Sequence, residues 1–264
     1  MLDHVDLLTA YDDQLRTEAE LMGAITTDRL GPLHLAIFPG GQGHVTYRDF
    51  DGAQAAGVRE LVEAALEHFE SDDTVSCVEW KTRGHDVAPG LHQALVDHGF
   101  VAGDSESVMV GRAQLLIADV QLPVGVTVRE IHERGDVEAM CAMQAAVFGE
   151  ATQGSERVDG LLQRMSTGSG VRMWIAEIGG HVVSAGRLEP VEHSDFAGIW
   201  GGATVARWRG QGIYRALTSE RARAALAMGR TLIHSDSTAD SRPILERAGL
   251  VAVTTTTPYL WHRR

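Results

Sequence analysis

A short apolar strand pattern, followed by a turn with two glycines and a long helix, constrains this chain more than any other feature. The strand pattern ends near Val205, the glycines are Gly210 and Gly212, and the predicted helix extends to about Met228. Glycine allows a tight turn and a close ligand, because it has no Cβ. The first N–H groups of a helix lack intrahelical partners and carry partial positive charge. The sequence therefore predicts an anion-binding turn.

The residues around this turn narrow the kind of anion it binds. Three arginines, Arg207, Arg209 and Arg215, add full positive charge beside the predicted helix start. A Walker-type phosphate loop needs a lysine after its last glycine, and this turn has none. A dinucleotide fingerprint needs a third glycine at the position that Arg215 occupies. The turn therefore suits a pyrophosphate, but it matches neither the Walker loop nor the dinucleotide fingerprint.

The pattern Arg-x-x-Gly-x-Gly, from Arg207 to Gly212, resembles the acetyl-CoA signature of the GNAT superfamily of N-acetyltransferases. The surrounding sequence agrees with that family over most of residues 126–264. The resemblance implies that the amides of the turn hold the pyrophosphate of coenzyme A, and that the preceding strand runs beside the pantetheine arm. The implied cofactor contacts are Thr204, Val205, Ala206, Arg209, Gly210, Gln211, Gly212, Ile213, Tyr214 and Ser241. The alternative is a helix start whose glycines serve only packing.

The strand before the turn, from Phe196 to Val205, contains the pair Gly201-Gly202, which would suit a β-bulge. In the family that the turn resembles, this strand splays from the next one, and one of its backbone N–H groups faces the thioester oxygen. The residues from Trp200 to Val205 are expected to fill that role here. Residues 173–178 and 182–188 are predicted to form the hairpin that precedes this strand.

Acetylation of an amine also requires a group that removes a proton. Many family members use a tyrosine in the helix after the next strand and a glutamate in the cofactor strand. This chain has Leu245 at the tyrosine position and no carboxylate in residues 197–204, so neither role can be transferred. The catalytic candidates are instead Asp236, Tyr259 and Glu189. A turn or cap role for the aspartate and a half-buried strand position for the tyrosine remain the alternatives.

The first half of the chain repeats the order of elements of the second. Patterns predict a helix over residues 7–22, strands at 33–38, 44–50 and 75–80, and helices at 53–69 and 89–98. A shift of 150 positions places Leu95, Gly99, Val101 and Ala102 on Leu245, Gly249, Val251 and Ala252. This predicts a duplicated α/β domain. We therefore interpret residues 1–120 as a degenerate GNAT-like domain without the cofactor loop and residues 126–264 as the acetyl-CoA-binding domain; an unrelated first domain is the alternative.

Composition restricts the class of protein further. The chain has 264 residues, a net charge of -13 and two cysteines. The negative charge argues against nucleic acid and anionic membranes as partners, and it would suit a cationic amine, although solubility explains it as well. The apolar runs are too short to span a membrane, and the N-terminus lacks a basic leader. Two free thiols suit a reducing compartment. Together these features predict a cytoplasmic location. His85, His92 and His98 form no metal-binding pattern, so no metal is predicted.

Taken with the resemblance, these features predict an N-acetyltransferase with an α/β fold of two mixed-sheet domains in tandem. It would transfer an acetyl group from acetyl-CoA to a primary amine of a small molecule by direct attack. One alternative is a non-catalytic protein that binds or senses acyl-CoA, which the missing tyrosine and glutamate favour; another is a purely structural partner protein. The sequence leaves the identity of the acceptor and homodimerisation open.

Overall fold

The computed structural model describes residues 3–149 and 155–263. These residues divide into two compact units, and the chain passes between the units more than once. Unit 1 consists of Met1–Met109, Asp236–Ile244 and Val251–Arg264, and unit 2 consists of Val110–Ser235 and Leu245–Leu250.

The elements before residue 117 include both helices and strands. In chain order they are α1 (His4–Gln14), a 3₁₀ turn (Glu18–Leu21), β1 (Thr26–Leu30), β2 (Leu33–Phe38), β3 (Gln42–Thr46), α2 (Ala55–Glu70), β4 (Cys77–Arg83), α3 (Leu91–Asp97), β5 (Val101–Ala102), β6 (Glu106–Arg112) and α4 (Ala113–Leu116).

The remaining elements begin at residue 127. They are β7 (Thr127–Ile131), α5 (Arg134–Phe148), α6 (Ser155–Ser166), β8 (Arg172–Ile178), β9 (His181–Pro190), β10 (Phe196–Thr204), a 3₁₀ turn (Ala206–Trp208), α7 (Ile213–Ala227), β11 (Leu232–Ser237), α8 (Arg242–Arg247) and β12 (Val251–His262). None of the helices in the described residues is both long enough and apolar enough to span a membrane.

Unit 1 contains the strand order β1-β2-β3-β4-β12, followed by the first residues of β6, and β5 pairs with Tyr259 and Leu260 of β12. Strands β3 and β4 run parallel, whereas β12 runs antiparallel to β4 from Thr256↔Arg83 to His262↔Cys77. Helix α2 buries Val58, Val62 and Phe69, which recur at helical spacing and pack into the core of this unit. The last strand of the chain therefore belongs to unit 1. This division differs from the sequence boundary at residues 120–126, because long-range strand pairing leaves no local signal.

The predicted helix over residues 7–22 is wrong as a single element. Helix α1 ends at Gln14, and a separate 3₁₀ turn begins after Thr17, whose side chain accepts a hydrogen bond from the N–H of Ala19 at 3.1 Å. Arg16 lies between the two and is 3 % exposed, because its guanidinium donates to the Tyr47 carbonyl at 3.0 Å. The helix therefore ends where the buried Arg16 donates a tertiary hydrogen bond, although the apolar spacing predicts that the helix continues.

Unit 2 contains the strand order β11-β10-β9-β8-β7, in which β10 and β11 run parallel and the other neighbours run antiparallel. Helices α5 and α6 cover one face, where Met140 and Leu161 pack in a cluster with Ala185 of β9. Helix α7 covers the other face, where Arg221 lies against Gly186, the next residue of the same strand. The central strand β9 is therefore buried on both faces and holds α5 and α7 in place around β10.

Candidate active site

Strand β10 contains a β-bulge at the predicted position. Its antiparallel register with β9 shifts between Trp200 and Ala203, and Gly201 has a φ of 61°, a conformation that favours glycine. The parallel pairing of β10 with β11 runs from Phe196↔Leu232 to Gly198↔His234, whereas β10 itself continues to Thr204. The predicted bulge at Gly201-Gly202 is confirmed, and it lies beyond the residues of β10 that pair with β11.

The turn after β10 is fixed by its own side chains. Nε of Arg209 donates to the Thr204 carbonyl at 3.1 Å, and the side-chain amide of Gln211 donates to the Arg207 carbonyl at 3.0 Å. Gly210 and Gly212 have φ values of 72° and 82°. Both glycines of the sequence pattern therefore occupy backbone conformations that other residues rarely adopt.

The start of α7 presents backbone donors without protein partners. Gly212 is the N-cap and makes no side-chain cap hydrogen bond, and the first intrahelical donor is the N–H of Ala216, 2.9 Å from the Gly212 carbonyl. In the part of the chain that the structure describes, no acceptor contacts the N–H groups from Gly210 to Arg215. Arg207, Arg209 and Arg215 are exposed around them. The turn therefore combines unpaired amides with three guanidinium groups, which is the chemistry of an anion site.

The segment before β7 lies along the same end of α7. A Cβ at Gly212 would lie 2.9 Å from Cγ1 of Val120, which is too close for an unrelaxed contact. The hydroxyl of Ser219 accepts from the N–H of Ala118 at 3.0 Å and lies 3.1 Å from its carbonyl oxygen. A larger residue at position 212 would therefore disturb both the turn and this segment.

Tyr214, in the first turn of α7, packs against the bulge. A Cβ at Gly202 would lie 2.7 Å from Cε2 of Tyr214, so glycine is needed for this approach. The guanidinium of Arg221 lies 5.8 Å from the centre of the Tyr214 ring and donates to the Thr218 hydroxyl at 2.9 Å. Arg221 is 1 % exposed, and burial lowers its pKa. These contacts fix the start of α7 relative to β10.

Glu189, on β9, is held between two arginines. Nε of Arg187 donates to its Oε1 at 2.5 Å, and Nη2 of Arg164 donates to its Oε2 at 2.6 Å. Burial raises the pKa of Glu189, but the charges and hydrogen bonds of the two arginines outweigh burial, so the pKa lies below its ordinary value. A carboxylate with a lowered pKa is a weak base near neutral pH. The structure shows Glu189 as the centre of an ion-pair cluster, and its catalytic role stays a prediction.

Asp236 and Ser241 belong to unit 1, together with their partners. Nζ of Lys81 lies 2.6 Å from Oδ2 of Asp236, whose side chain is 8 % exposed. Burial lowers the pKa of Lys81, but the Asp236 carboxylate outweighs burial and holds that pKa above its ordinary range. Ser241 lies just before α8, 3.4 Å from the Thr238 carbonyl. Asp236 is therefore an ion-paired carboxylate, and Ser241 caps a turn; no observation tests the roles that the sequence predicts for them.

Tyr259 lies in β12 and is part of the core of unit 1. Its hydroxyl shares a 2.6 Å hydrogen bond with Nδ1 of His92, and burial raises its pKa. The half-buried strand position that was the alternative for this tyrosine agrees with these contacts. A role as a proton donor stays a prediction.

Sequence reasoning missed two residues beside the bulge. Gln144 of α5 is 1 % exposed and donates from Nε2 to the Gly201 carbonyl at 2.6 Å. A Cβ at Gly201 would lie 2.9 Å from this nitrogen and 2.9 Å from Nη1 of Arg187. The sequence contains a signal for this position, because Gln144 follows Met140 by four positions and so lies on the apolar side of α5. Arg187 likewise interrupts an apolar strand.

Comparisons with known proteins define the fold. No family model matches the sequence, and no curated protein matches it. The chain is similar in structure to a GCN5-related N-acetyltransferase from Kribbella flavida, with 18 % identity, 92 % of each chain covered and a TM-score of 0.67. It is also similar to a GCN5-related N-acetyltransferase from Sphaerobacter thermophilus, with 18 % identity, 88 % of this chain and 76 % of that chain covered, and a TM-score of 0.63.

A third similar structure has the tandem arrangement. It is a tandem GNAT protein from the clavulanic acid biosynthesis pathway, with 13 % identity, 98 % of this chain and 95 % of that chain covered, and a TM-score of 0.59. The chain therefore has the fold of the GCN5-related N-acetyltransferases, with two such mixed-sheet domains in tandem. This confirms the predicted fold class.

Proposed function

We propose that this chain is an acetyl-CoA-dependent N-acetyltransferase that acetylates a primary amine of a small molecule by direct attack. The observation that carries the proposal is the run of N–H groups from Gly210 to Arg215, which have no acceptor among the described residues and follow a bulged strand. Similarity to N-acetyltransferase structures supports acyl transfer as the general class.

The residues at the turn fit coenzyme A. The amides from Gly210 to Arg215 would bind the pyrophosphate, with Arg207 and Arg209 supplying charge. The strand from Trp200 to Val205 spans about 16 Å at the usual rise per residue, along which an extended pantetheine arm would lie. The thioester would then lie near the bulge at Gly201. Thr204, Val205 and Ala206 would line the arm through their backbones.

The reaction is a nucleophilic substitution at the thioester carbonyl. The amine nitrogen bonds to the acetyl carbon, the carbon–sulfur bond breaks, and the thiolate leaves and takes up the proton that the amine gives off. A bulge frees backbone groups from the strand ladder, so the N–H groups of Gly201 and Gly202 are the candidates to stabilise the oxyanion. Asp236, Glu189 and Tyr259 are our candidates for proton transfer.

The second candidate function is a protein that binds or senses acyl-CoA without catalysis. Leu245 stands at the position of the usual tyrosine and is 1 % exposed, and residues 197–204 contain no carboxylate. Both proposals require cofactor binding, and only the first requires product formation.

Calorimetric titration of acetyl-CoA tests both proposals. We compare the wild type with Gly212→Asp and with the matched control Gly229→Asp at the other end of α7. Both glycines have a positive φ, 82° and 77°, so the two variants carry similar backbone strain and the same added charge. Position 212 differs from position 229 in two ways: its carboxylate would face the proposed pyrophosphate, and its Cβ would lie 2.9 Å from Cγ1 of Val120. Gly212→Ala, which has the close contact without the charge, is therefore the second control and should keep more affinity for acetyl-CoA than Gly212→Asp.

Saturable binding to the wild type and to Gly229→Asp, lost in Gly212→Asp, supports the turn as the cofactor site. Circular dichroism establishes that both variants keep their fold. An acceptor screen that follows release of the coenzyme A thiol then separates an enzyme from a binding protein. Absence of acetyl-CoA binding in the wild type would overturn both proposals.

A further inference from the structure

A guanidinium with unused donors lies beside the bulge. Arg187 is opposite Trp200 in the register of β9 and β10, and its Nη1 would lie 2.9 Å from a Cβ at Gly201. Its one hydrogen bond to described residues is from Nε to Glu189, so Nη1 and Nη2 have no acceptor among them. The side chain is 22 % exposed. Two parallel donors therefore remain for a ligand that reaches the bulge.

The charge around this guanidinium is positive. Among the described residues, Glu189 is the carboxylate that forms ion pairs with both Arg187 and Arg164. Two positive charges thus face one negative charge, in a chain whose net charge is -13. Because Glu189 already accepts from both arginines, it fixes the direction of Arg187 without neutralising the whole cluster. An anion would find a net attraction here.

A buried amide at the same point also lacks a partner. Gln144 is 1 % exposed, and its Oε1 is buried without a hydrogen bond to any described residue. Its Nε2 lies as close to the Cβ position of Gly201 as Nη1 of Arg187 does. Buried amide oxygens are nearly always paired, so an unpaired one needs an explanation. A ligand with both an N–H donor and an anionic group would explain the amide and the guanidinium together.

The position of these groups limits the size of such a ligand. The proposed thioester lies at the bulge, and Arg187 lies across the ladder from the residue before it, Trp200. The amine would attack the thioester carbon beside Gly201 while the anionic group of the same molecule contacts Arg187. Such a ligand can have only a few atoms between its amino group and its anionic group. The ring of Trp200 stands edge-on to His234 with centroids 5.1 Å apart and provides an aromatic wall on the same strand.

We propose that the acceptor is a small amine that also carries a carboxylate, such as an amino acid, and that Arg187 binds this carboxylate. The inference rests on the proposed acetyl transfer, since it names the acceptor class of that site. Arg187 would be the residue that determines specificity, Glu189 a positioning residue that orients it, and Gln144 a contact for the amino group.

The test compares acceptors that differ only in the carboxylate. The full-length chain is assayed with acetyl-CoA and a panel of L-amino acids, each beside its own carboxamide, by release of the coenzyme A thiol. We expect kcat/KM to be about 10- to 100-fold higher for the acid than for its amide, the usual range for a charge-assisted hydrogen bond.

Variants assign the preference to Arg187. Arg187→Met is expected to abolish it, chiefly through a higher KM for the acceptor, while the calorimetric affinity for acetyl-CoA stays unchanged. Arg187→Lys, which keeps the charge, retains part of the preference and serves if the methionine variant is poorly folded. The matched control is Arg172→Met on β8, another ion-paired strand arginine, which keeps the preference in full.

Three results would overturn the inference. Carboxamides that react as well as their acids would do so, and so would a preference that survives Arg187→Met. A chain that binds acetyl-CoA yet acetylates neither set of amines would also refute it. Failure of the proposed function is detected separately, by calorimetry that shows no binding of acetyl-CoA to the wild type. In that case the inference about the acceptor also fails.

Discussion

Replacement of Gly201 by alanine tests whether the bulge is required for both folding and acyl transfer. Gly201 has a φ of 61°, and a left-handed conformation costs an L-residue about 1–2 kcal/mol. The added methyl group would also lie 2.9 Å from Nε2 of Gln144 and from Nη1 of Arg187. Overpacking of this kind costs about 1–3 kcal/mol. We therefore expect Gly201→Ala to lower the free energy of unfolding by about 2–5 kcal/mol, the sum of the two effects.

The control for this prediction is Gly180→Ala, in the hairpin between β8 and β9. Gly180 has a φ of 78°, and no atom lies within 4 Å of its Cβ position, so this variant carries the backbone strain without the overpacking. Urea unfolding followed by circular dichroism should show Gly201→Ala as the less stable variant by about 1–3 kcal/mol. Because a displaced bulge misplaces the thioester, acetyl transfer should fall about 100-fold in Gly201→Ala only. Equal stability of the two variants, or full turnover in Gly201→Ala, would refute the reasoning.

Three further predictions concern the candidate catalytic residues. Lys81→Met leaves the buried Asp236 carboxylate without its lysine, and we expect a loss of about 2–3 kcal/mol in urea unfolding; an unchanged midpoint would contradict this. The pKa of Glu189 is lowered in the folded state, so its ion pairs stabilise the fold fully above its ordinary pKa of 4.5. This contribution is lost as the pH falls through the pKa of the folded state. The difference in unfolding free energy between the wild type and Glu189→Gln should therefore shrink in acid. Tyr259→Phe removes a hydrogen bond to His92, so we expect a loss of about 1 kcal/mol in the free energy of unfolding. A fall in kcat of more than about tenfold in this variant would assign proton donation to Tyr259, and an unchanged kcat would remove it from the candidates.

Local patterns predicted the parts of this fold that depend on nearby residues. The predicted strands 33–38 and 75–80 and the predicted helix 53–69 overlap β2, β4 and α2. The turn at Gly210 and Gly212 and the bulge at Gly201 were also predictable, because glycine is the residue that such backbone conformations favour. These features follow from residues close in sequence.

Features that depend on distant residues escaped prediction. The pairing of β12 with β4 joins residues far apart in sequence, so nothing local showed that the last strand belongs to unit 1. The surroundings of Gly201 likewise come from α5 and β9, which supply Gln144 and Arg187. Such clusters are fixed by tertiary packing, which sequence spacing does not encode.

The parallel strand pairs of the two units show why one anion site is predicted rather than two. In unit 1, β3 and β4 pair from Gln42↔Cys77 to Val45↔Trp80, and the following helix α2 begins at Ala55. The loop between β3 and α2 contains Asp49 and Asp51, and Oδ1 of Asp49 accepts from the N–H of Asp51 at 2.9 Å. Carboxylates at this position would repel a pyrophosphate, whereas the corresponding loop of unit 2 carries arginines.

The end of β3 is also filled by the chain itself. Nη2 of Arg16 donates to the Tyr47 carbonyl at 3.0 Å and to Oδ1 of Asp86 at 2.7 Å. The Tyr47 hydroxyl donates to Oδ2 of Asp86 at 2.7 Å, and both Arg16 and Tyr47 are almost fully buried. In unit 1, side chains of the same unit therefore bind the carbonyl and the hydroxyl of Tyr47 directly after β3. In unit 2 the amides from Gly210 to Arg215 have no acceptor among the described residues, and they are available to a ligand or to water.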